Sequence, residues 1–189
     1  MSTIYVAHNE LAAIGSGTLA EADVLTSVYD DSAKLVKSMT GADLREFAGS
    51  GRVNATAATL TVTNATHAGR IVTLNRAAGI AVTLPVATGT GARFTFFVGT
   101  TITSNTTTIK VPDANGTMRG NAIVLQDGGD TMVGFEAGST ADTITLNGTT
   151  TGGLLGDIIE LVDVGTDLWM VRCTLAATGT EATPFSATV

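Results

Sequence analysis

The sequence has few of the residues on which covalent cross-links, metal sites and many catalytic sites depend. One cysteine, Cys173, is present among 189 residues, so no disulfide can form within the chain. The two histidines, His8 and His67, lie in separate regions, and no His-x-x-x-His or Cys-x-x-Cys pair exists. A zinc site needs three or four protein ligands. The sequence therefore predicts no metal site and no cofactor, and it predicts a fold held by its core or by oligomerisation.

Charge is also scarce, with 14% charged residues and a formal net charge of -7. The ten lysines and arginines are scattered along the chain, whereas binding to nucleic acid or to an anionic membrane surface needs clustered basic residues. No apolar run approaches the roughly 18 residues that a membrane helix needs, and no basic and apolar signal sequence follows Met1. These features argue against nucleic-acid and membrane partners. A composition rich in Thr, Ala and Gly is typical of proteins that pack against copies of themselves or against another protein, and also of secreted β domains.

From Val53 onward the chain consists of short runs in which apolar residues alternate with threonine or small residues, as in half-buried strands. Turn signals such as Asn115-Gly116 and Asn147-Gly148 separate the runs at intervals of roughly 10 to 14 residues. No repeat of fixed period is present, which argues against a solenoid. The pattern predicts a mainly β fold, an antiparallel, jelly-roll-like β-sandwich or barrel over residues 53–189. Ten strands are predicted, within residues 59–63, 70–74, 80–84, 93–98, 107–111, 122–125, 131–135, 142–146, 158–162 and 168–174.

Residues 1–52 differ from the rest and are predicted to form an N-terminal arm or cap with short helices. Thr18 and Glu21 have the spacing of a capping box, and the apolar spacing after them predicts a helix running to Tyr29. A second short helix is predicted from Asp31 through Met39, and a third turn within residues 40–47. Each piece is short for an isolated helix. The region is therefore expected to dock on a partner or on the β domain.

Four acidic residues flank two neighbouring predicted strands and raise the question of paired catalytic carboxylates: Asp157, Glu160, Asp163 and Asp167. Strand alternation places Asp157 and Asp163 on one face and Glu160 on the other, so they do not converge on one site. Solvated strand ends and a turn explain them. The acidic pair in residues 127–130 and the Asp113–Gly116 segment lack the ligand spacing of a calcium loop and are predicted to be turns. No residues of the catalytic types converge, and the chain is not expected to be an enzyme.

The aromatic strand at residues 93–98 is apolar on both faces, which is typical either of a central core strand or of a subunit interface. The N-terminal segments 4–6 and 11–14 are apolar enough to add an edge strand or a docking segment to a partner. The predicted partner contacts are Ile4, Tyr5, Val6, Leu11, Ile14 and Phe97.

Two stretches carry a resemblance to a known class of proteins. Residues 82–99 (VTLPVATGTGARFTFFVG) and 145–153 (TLNGTTTGG), followed by Gly156-Asp157 and a closing strand with Trp169, resemble a pattern of virion structural proteins of tailed phages. The resemblance covers roughly residues 55 to 175. It implies an antiparallel β domain in a capsid decoration (cement) protein, which is typically trimeric, or in a tail-fibre module.

This resemblance implies the expected function. The chain is expected to be a structural virion protein that binds and stabilises the assembled phage capsid as a homotrimer, with itself and the shell of the major capsid protein as partners. Its expected location is the outer capsid surface, after synthesis in the host cytoplasm. The alternative is a tail-fibre or tail-tip module that binds a receptor or glycan. A hydrolase on a β scaffold lacks a convergent set of residues.

Overall fold

The computed structural model describes residues 24–30, 35–40 and 51–189. The chain divides into two compact units, Met1–Phe47 and Ala48–Val189. In the first unit, β1 (Val24–Asp30) and β2 (Leu35–Thr40) form an antiparallel pair that closes where Asp30 lies opposite Leu35. The backbone of this unit is therefore extended wherever it is described.

The prediction of helices is wrong for residues 24–30 and 35–40, which are strands. Val24, Thr26 and Val28 are β-branched residues in alternate positions, and β-branched side chains favour the extended conformation. A helix of this length is also marginal in water, because nucleation is costly. Pairing between the two segments therefore prevails over the local helix signal. The capping box at Thr18 and Glu21 and the predicted turn after Thr40 lie outside the described residues.

From residue 51 onward the second unit contains twelve strands, one short α-helix, α1 (Asn64–His67), and one turn of 3₁₀ helix at Asp127–Gly129. In chain order the strands are β3 (Arg52–Ala55), β4 (Thr59–Thr61), β5 (Ile71–Leu74), β6 (Ala81–Thr83), β7 (Arg93–Val98), β8 (Thr107–Lys110), β9 (Thr117–Gln126), β10 (Thr131–Glu136), β11 (Thr143–Leu146), β12 (Ile158–Gly165), β13 (Leu168–Ala177) and β14 (Phe185–Ser186). All ten predicted strands are present. The short strands β3 and β14 were not predicted.

These strands form two sheets, so the prediction of a mainly β sandwich is confirmed. The larger sheet has the order β10-β9-β13-β12-β7-β5-β3, and the smaller has the order β14-β11-β8-β6-β4. Their inward side chains join one hydrophobic core, which includes Phe94 and Leu161 from the larger sheet and Ile109 and Leu146 from the smaller. Trp169, the single tryptophan, is buried in this core, with its ring 5.6 Å from the ring of Phe94.

The pairing is mixed rather than antiparallel. Strands β3, β5 and β7 run parallel in one sheet, and β4, β6 and β8 run parallel in the other. The chain crosses to the opposite sheet after each strand and returns in its original direction, so parallel neighbours arise without a crossover helix. The first six strands of this unit thus wind as three turns of a two-sheet coil, although the sequence has no fixed repeat. Antiparallel pairing dominates the rest, except for the long parallel pair β13–β9.

Candidate functional site

The acidic residues around β12 hold loops in place. Asp163, 1% exposed, accepts hydrogen bonds from the backbone N–H groups of Thr88 (3.0 Å), Gly89 (2.6 Å) and Thr90 (3.0 Å). The Thr90 hydroxyl donates a further bond at 2.7 Å. The Asp163 carboxylate therefore anchors residues 88–90, which belong to the connection between β6 and β7 and are distant from Asp163 in the sequence.

This arrangement determines the protonation of Asp163. Burial acts to raise the pKa of the carboxyl, but the hydrogen bonds from the Thr90 hydroxyl and from the N–H groups of Thr90, Thr88 and Gly89 outweigh it. The pKa of Asp163 is lowered to about 2. The group is therefore an anion at neutral pH, with its oxygens occupied by the loop.

Asp157 has a related structural role at the other end of β12. Its carboxylate is buried and accepts bonds from the N–H groups of Gly153 (2.6 Å), Leu154 (3.1 Å) and Ala176 (2.8 Å). Burial raises the pKa of Asp157, and these three bonds only partly offset it. The expectation that Asp157 and Asp163 are solvated strand ends is wrong, because both point into the sandwich with Ile159. Their divergence from Glu160, which is exposed, is as predicted.

Within residues 51–189, His67 and Cys173 are likewise part of the scaffold. The Nδ1 atom of His67 accepts a bond from the Thr63 N–H at 3.1 Å, and burial lowers the pKa of the ring. Cys173 is buried, and burial raises the pKa of its thiol to about 12. The acidic segments at 113–116 and 127–130 form turns. Over the described ranges, no group of three or more His, Cys, Asp or Glu residues could hold a metal ion.

The surface offers a groove of about 450 Å³ on the outer face of the larger sheet. This outer groove is lined by Ile71 and Thr73 of β5, Thr95 and Phe97 of β7, and Ile158 of β12, with Arg52 of β3 at one side. Ile71 is 51% exposed. Phe97 lies opposite Thr73 and Ile158 in the neighbouring strands, so its ring is in the middle of the groove. An apolar groove that remains open to water is typical of a contact surface.

A second apolar surface lies at the far edge of the same sheet, on the hairpin formed by β9 and β10. Ile123, Leu125, Met132 and Val133 are all exposed there, and Met132 is 69% exposed. Met132 lies opposite Leu125, and Val133 lies opposite Val124, so the exposed side chains occupy both faces of this edge. We call these four residues the hairpin patch.

Charge is segregated between the two halves of the β unit. Residues 48–112, which contain β3 to β8, carry five basic residues and no acidic residue. Residues 113–189, with β9 to β14, carry ten acidic residues and two arginines, a formal charge of -8. In each sheet the strands of one half are contiguous, and residues 56–58 join β3 directly to β4. The basic halves of both sheets therefore lie on one side of the sandwich and the acidic halves on the other.

The predicted partner contacts are only partly placed. Phe97 is half-buried in the outer groove, while Ile4, Tyr5, Val6, Leu11 and Ile14 lie outside the described residues. Sequence reasoning missed the hairpin patch and the charge segregation. The latter was visible in the sequence as the stretch from Glu46 to Asp113, which contains no other acidic residue.

No helix in the described part of the chain is long and apolar enough to cross a membrane. In comparisons with models of protein families, with curated proteins and with solved structures, the chain matches none of them.

Proposed function

We propose that the protein is a structural virion protein, a decoration protein that binds the assembled phage capsid as a homotrimer and stabilises it. The observation that carries the proposal is the outer face of the larger sheet. It combines an open apolar groove with the exposed apolar side chains of Ile123, Leu125 and Met132 at the far edge of the sheet. Neighbouring exposed apolar side chains of this kind fit contacts between subunits.

The scaffold supports the same role. The three buried carboxylates Asp142, Asp157 and Asp163 each accept several hydrogen bonds and tie loops or the C-terminal residues to the sandwich. These carboxyl groups contribute to rigidity, because each accepts bonds from backbone N–H groups. A rigid block with adhesive faces is suited to holding neighbouring subunits of a shell in register.

Stabilisation would follow from mass action. A protein that binds the assembled lattice and not its separated subunits stabilises the lattice by roughly 2.7 kcal/mol at a free concentration of one hundred times Kd. Three copies in one trimer add avidity, because the second and third contacts form at high effective concentration. We assign the shell contact to residues 1–15, whose apolar segments 4–6 and 11–14 are suited to docking.

The test is co-sedimentation of the purified protein with empty capsid shells that lack it. We expect saturable binding by the full chain and loss of binding when residues 1–15 are deleted, with the truncated protein still folded and oligomeric. Circular dichroism and light scattering provide those controls. Full occupancy by the truncated protein would refute the role of the arm, and no binding by the full chain at micromolar concentration would refute the decoration function.

The alternative is a tail module that binds a receptor or glycan, and the structure does not leave its single tryptophan available to stack against a sugar. Sugar-binding sites commonly use an exposed aromatic ring, but Trp169 is 1% exposed and packs against Phe94. Both tyrosines belong to residues 1–47. We expect no binding on a glycan array, and a reproducible glycan ligand would favour the alternative.

A further inference from the structure

The outer groove and the hairpin patch cannot satisfy each other within one molecule. Both belong to the same sheet, and four strand spacings separate β5 from β9. At about 4.8 Å per spacing the two strands are roughly 19 Å apart. The patch presents single apolar side chains, such as Met132, and the groove presents an apolar concavity around Phe97. The projection of one copy can therefore fill the concavity of another.

Charges of opposite sign lie at the two surfaces, on an outer face that also carries the exposed residues Glu160 beside the groove and Arg119 and Arg172 beside the hairpin. Arg52 lines the groove and is exposed, and Arg93 is exposed on β7 nearby. Asp130 and Glu136 are exposed on the hairpin, and the carboxylate of Glu181 accepts a bond from Thr131 at the start of β10. Attraction between the groove arginines, Arg52 and Arg93, and the hairpin carboxylates favours encounter in this orientation.

We propose that the β unit associates head to tail with copies of itself, so that the outer groove of one copy receives the hairpin patch of the next, and that three copies close into a ring. A head-to-tail contact uses two different surfaces of each copy, so it leads to a closed ring or to an open filament. This inference deepens the proposed function, on whose homotrimer it rests, by assigning the surfaces that build it.

Cysteine cross-linking tests the contact directly, because Cys173 is buried and does not compete. Ile71→Cys places a thiol in the groove, and Met132→Cys places one on the patch. We expect a short bismaleimide to give cross-linked dimers when the two variants are mixed and not with either variant alone. Asn115→Cys, on the exposed turn 113–116, is the matched control and should cross-link with neither.

The double variant Ile71→Cys/Met132→Cys tests whether three copies close into a ring. We expect a denaturing gel to show a covalent species of three chains, with little above it. Cross-linking of Met132→Cys or Ile71→Cys with itself would overturn the head-to-tail contact. A product limited to two chains would replace the ring by a twofold dimer, and an unlimited ladder would replace it by a filament. Tryptophan fluorescence confirms that each variant is folded.

Charge exchange supplies a second and independent measurement. We expect Arg52→Glu and Glu136→Lys each to weaken self-association about tenfold or more in analytical ultracentrifugation. The variant carrying both changes should recover most of the loss, because the two charges are exchanged across the contact. Asp113→Lys changes the net charge as Glu136→Lys does, but on a turn outside both surfaces, and should have little effect. A double variant weaker than either single one would contradict the pairing.

These outcomes are separable from those of shell binding. A ring that forms through the groove and patch but does not sediment with shells would refute the decoration function and leave this inference standing. A protein that decorates shells as a monomer, or as an oligomer with no groove-to-patch cross-link, would refute the inference and leave the decoration function standing.

Discussion

Asp163→Asn is the substitution whose effect the structure defines most sharply. The carboxylate receives four donors from residues 88–90. An asparagine can keep one acceptor oxygen, for example toward Thr88 and Gly89, but its amide group then faces the N–H of Thr90. A hydrogen bond to a charged group contributes roughly 1.5–3 kcal/mol. Residues 88–90 are exposed, so water satisfies part of the lost bonding.

After this discount for solvent, we expect Asp163→Asn to lower the free energy of unfolding by about 2 kcal/mol at pH 7. For a chain of this size that corresponds to a decrease of about 4–8 °C in Tm. Urea unfolding at a fixed protein concentration, followed by the fluorescence of Trp169, measures it, since this single tryptophan is buried in the same unit. Asp167→Asn is the matched control. Asp167 lies on the same hairpin, its hydrogen bonds run through its backbone, and its φ of 55° suits asparagine.

The pH dependence gives this prediction a definite sign. The pKa of Asp163 is about 2 in the folded chain, below the ordinary value of 3.8. Its contribution is therefore fully present above about pH 4 and is lost as the pH falls toward 2. The stability difference between wild type and Asp163→Asn should shrink over that interval. An equal difference at pH 2.5 and pH 7, or a loss no larger than that of Asp167→Asn, would refute the assignment of Asp163 as the anionic anchor of the loop.

Two further predictions concern the same sandwich. Asp157→Asn should show the opposite pH trend, because burial raises the pKa of Asp157. The contribution of Asp157 to the free energy of unfolding is therefore greatest at low pH and declines as the pH rises from about 4 through the raised pKa. An equal stability difference between wild type and Asp157→Asn in urea titrations at pH 3 and pH 7 would contradict this. Gly120→Ala should lower the free energy of unfolding by about 3 kcal/mol or more, because φ at Gly120 is 144° and a Cβ would lie 1.8 Å from the carbonyl oxygen of Val171. Gly134→Ala is the control and should change Tm by little, because its Cβ meets open space. Equal effects of the two substitutions would show that the close approach of β9 and β13 at Gly120 does not require glycine.

The strands were predictable because their signal is local. In β7 and β13 buried apolar residues recur at every second position, although Phe97 and Met170 on the outward side are apolar too, and this periodicity of two is present in any sheet arrangement. The direction of the strands was not predictable in this way. Whether β5 runs parallel or antiparallel to β7 depends on the path of the chain through the other sheet, which no local pattern records. The same holds for β1 and β2, where pairing between segments prevailed over a helix signal read from single segments.

The function of the acidic residues depended on partners distant in sequence. Alternation correctly placed Asp157 and Asp163 on one face, and that face carries Ile159 and Leu161, which are in the core. The sequence alone could not identify the N–H groups that donate hydrogen bonds to these two carboxylates. The Thr88 N–H lies 75 positions before Asp163 and reaches it only because the turn after β6 folds over the end of β12. Without known donors, a carboxylate between core residues is naturally assigned to solvent.

Segregated charge affects how an acidic chain can meet copies of itself. A net charge of -7 opposes association at long range, but the basic half allows one favourable orientation at short range. At physiological salt the Debye length is about 8 Å, so this preference acts mainly at contact distances. Burial of Met132, Ile71 and Phe97 would then supply salt-insensitive attraction, while Arg52 and the hairpin carboxylates select the orientation. Added salt should therefore slow the formation of the ring more than it speeds its dissociation, because the apolar contact, once made, does not depend on the charges that guided it.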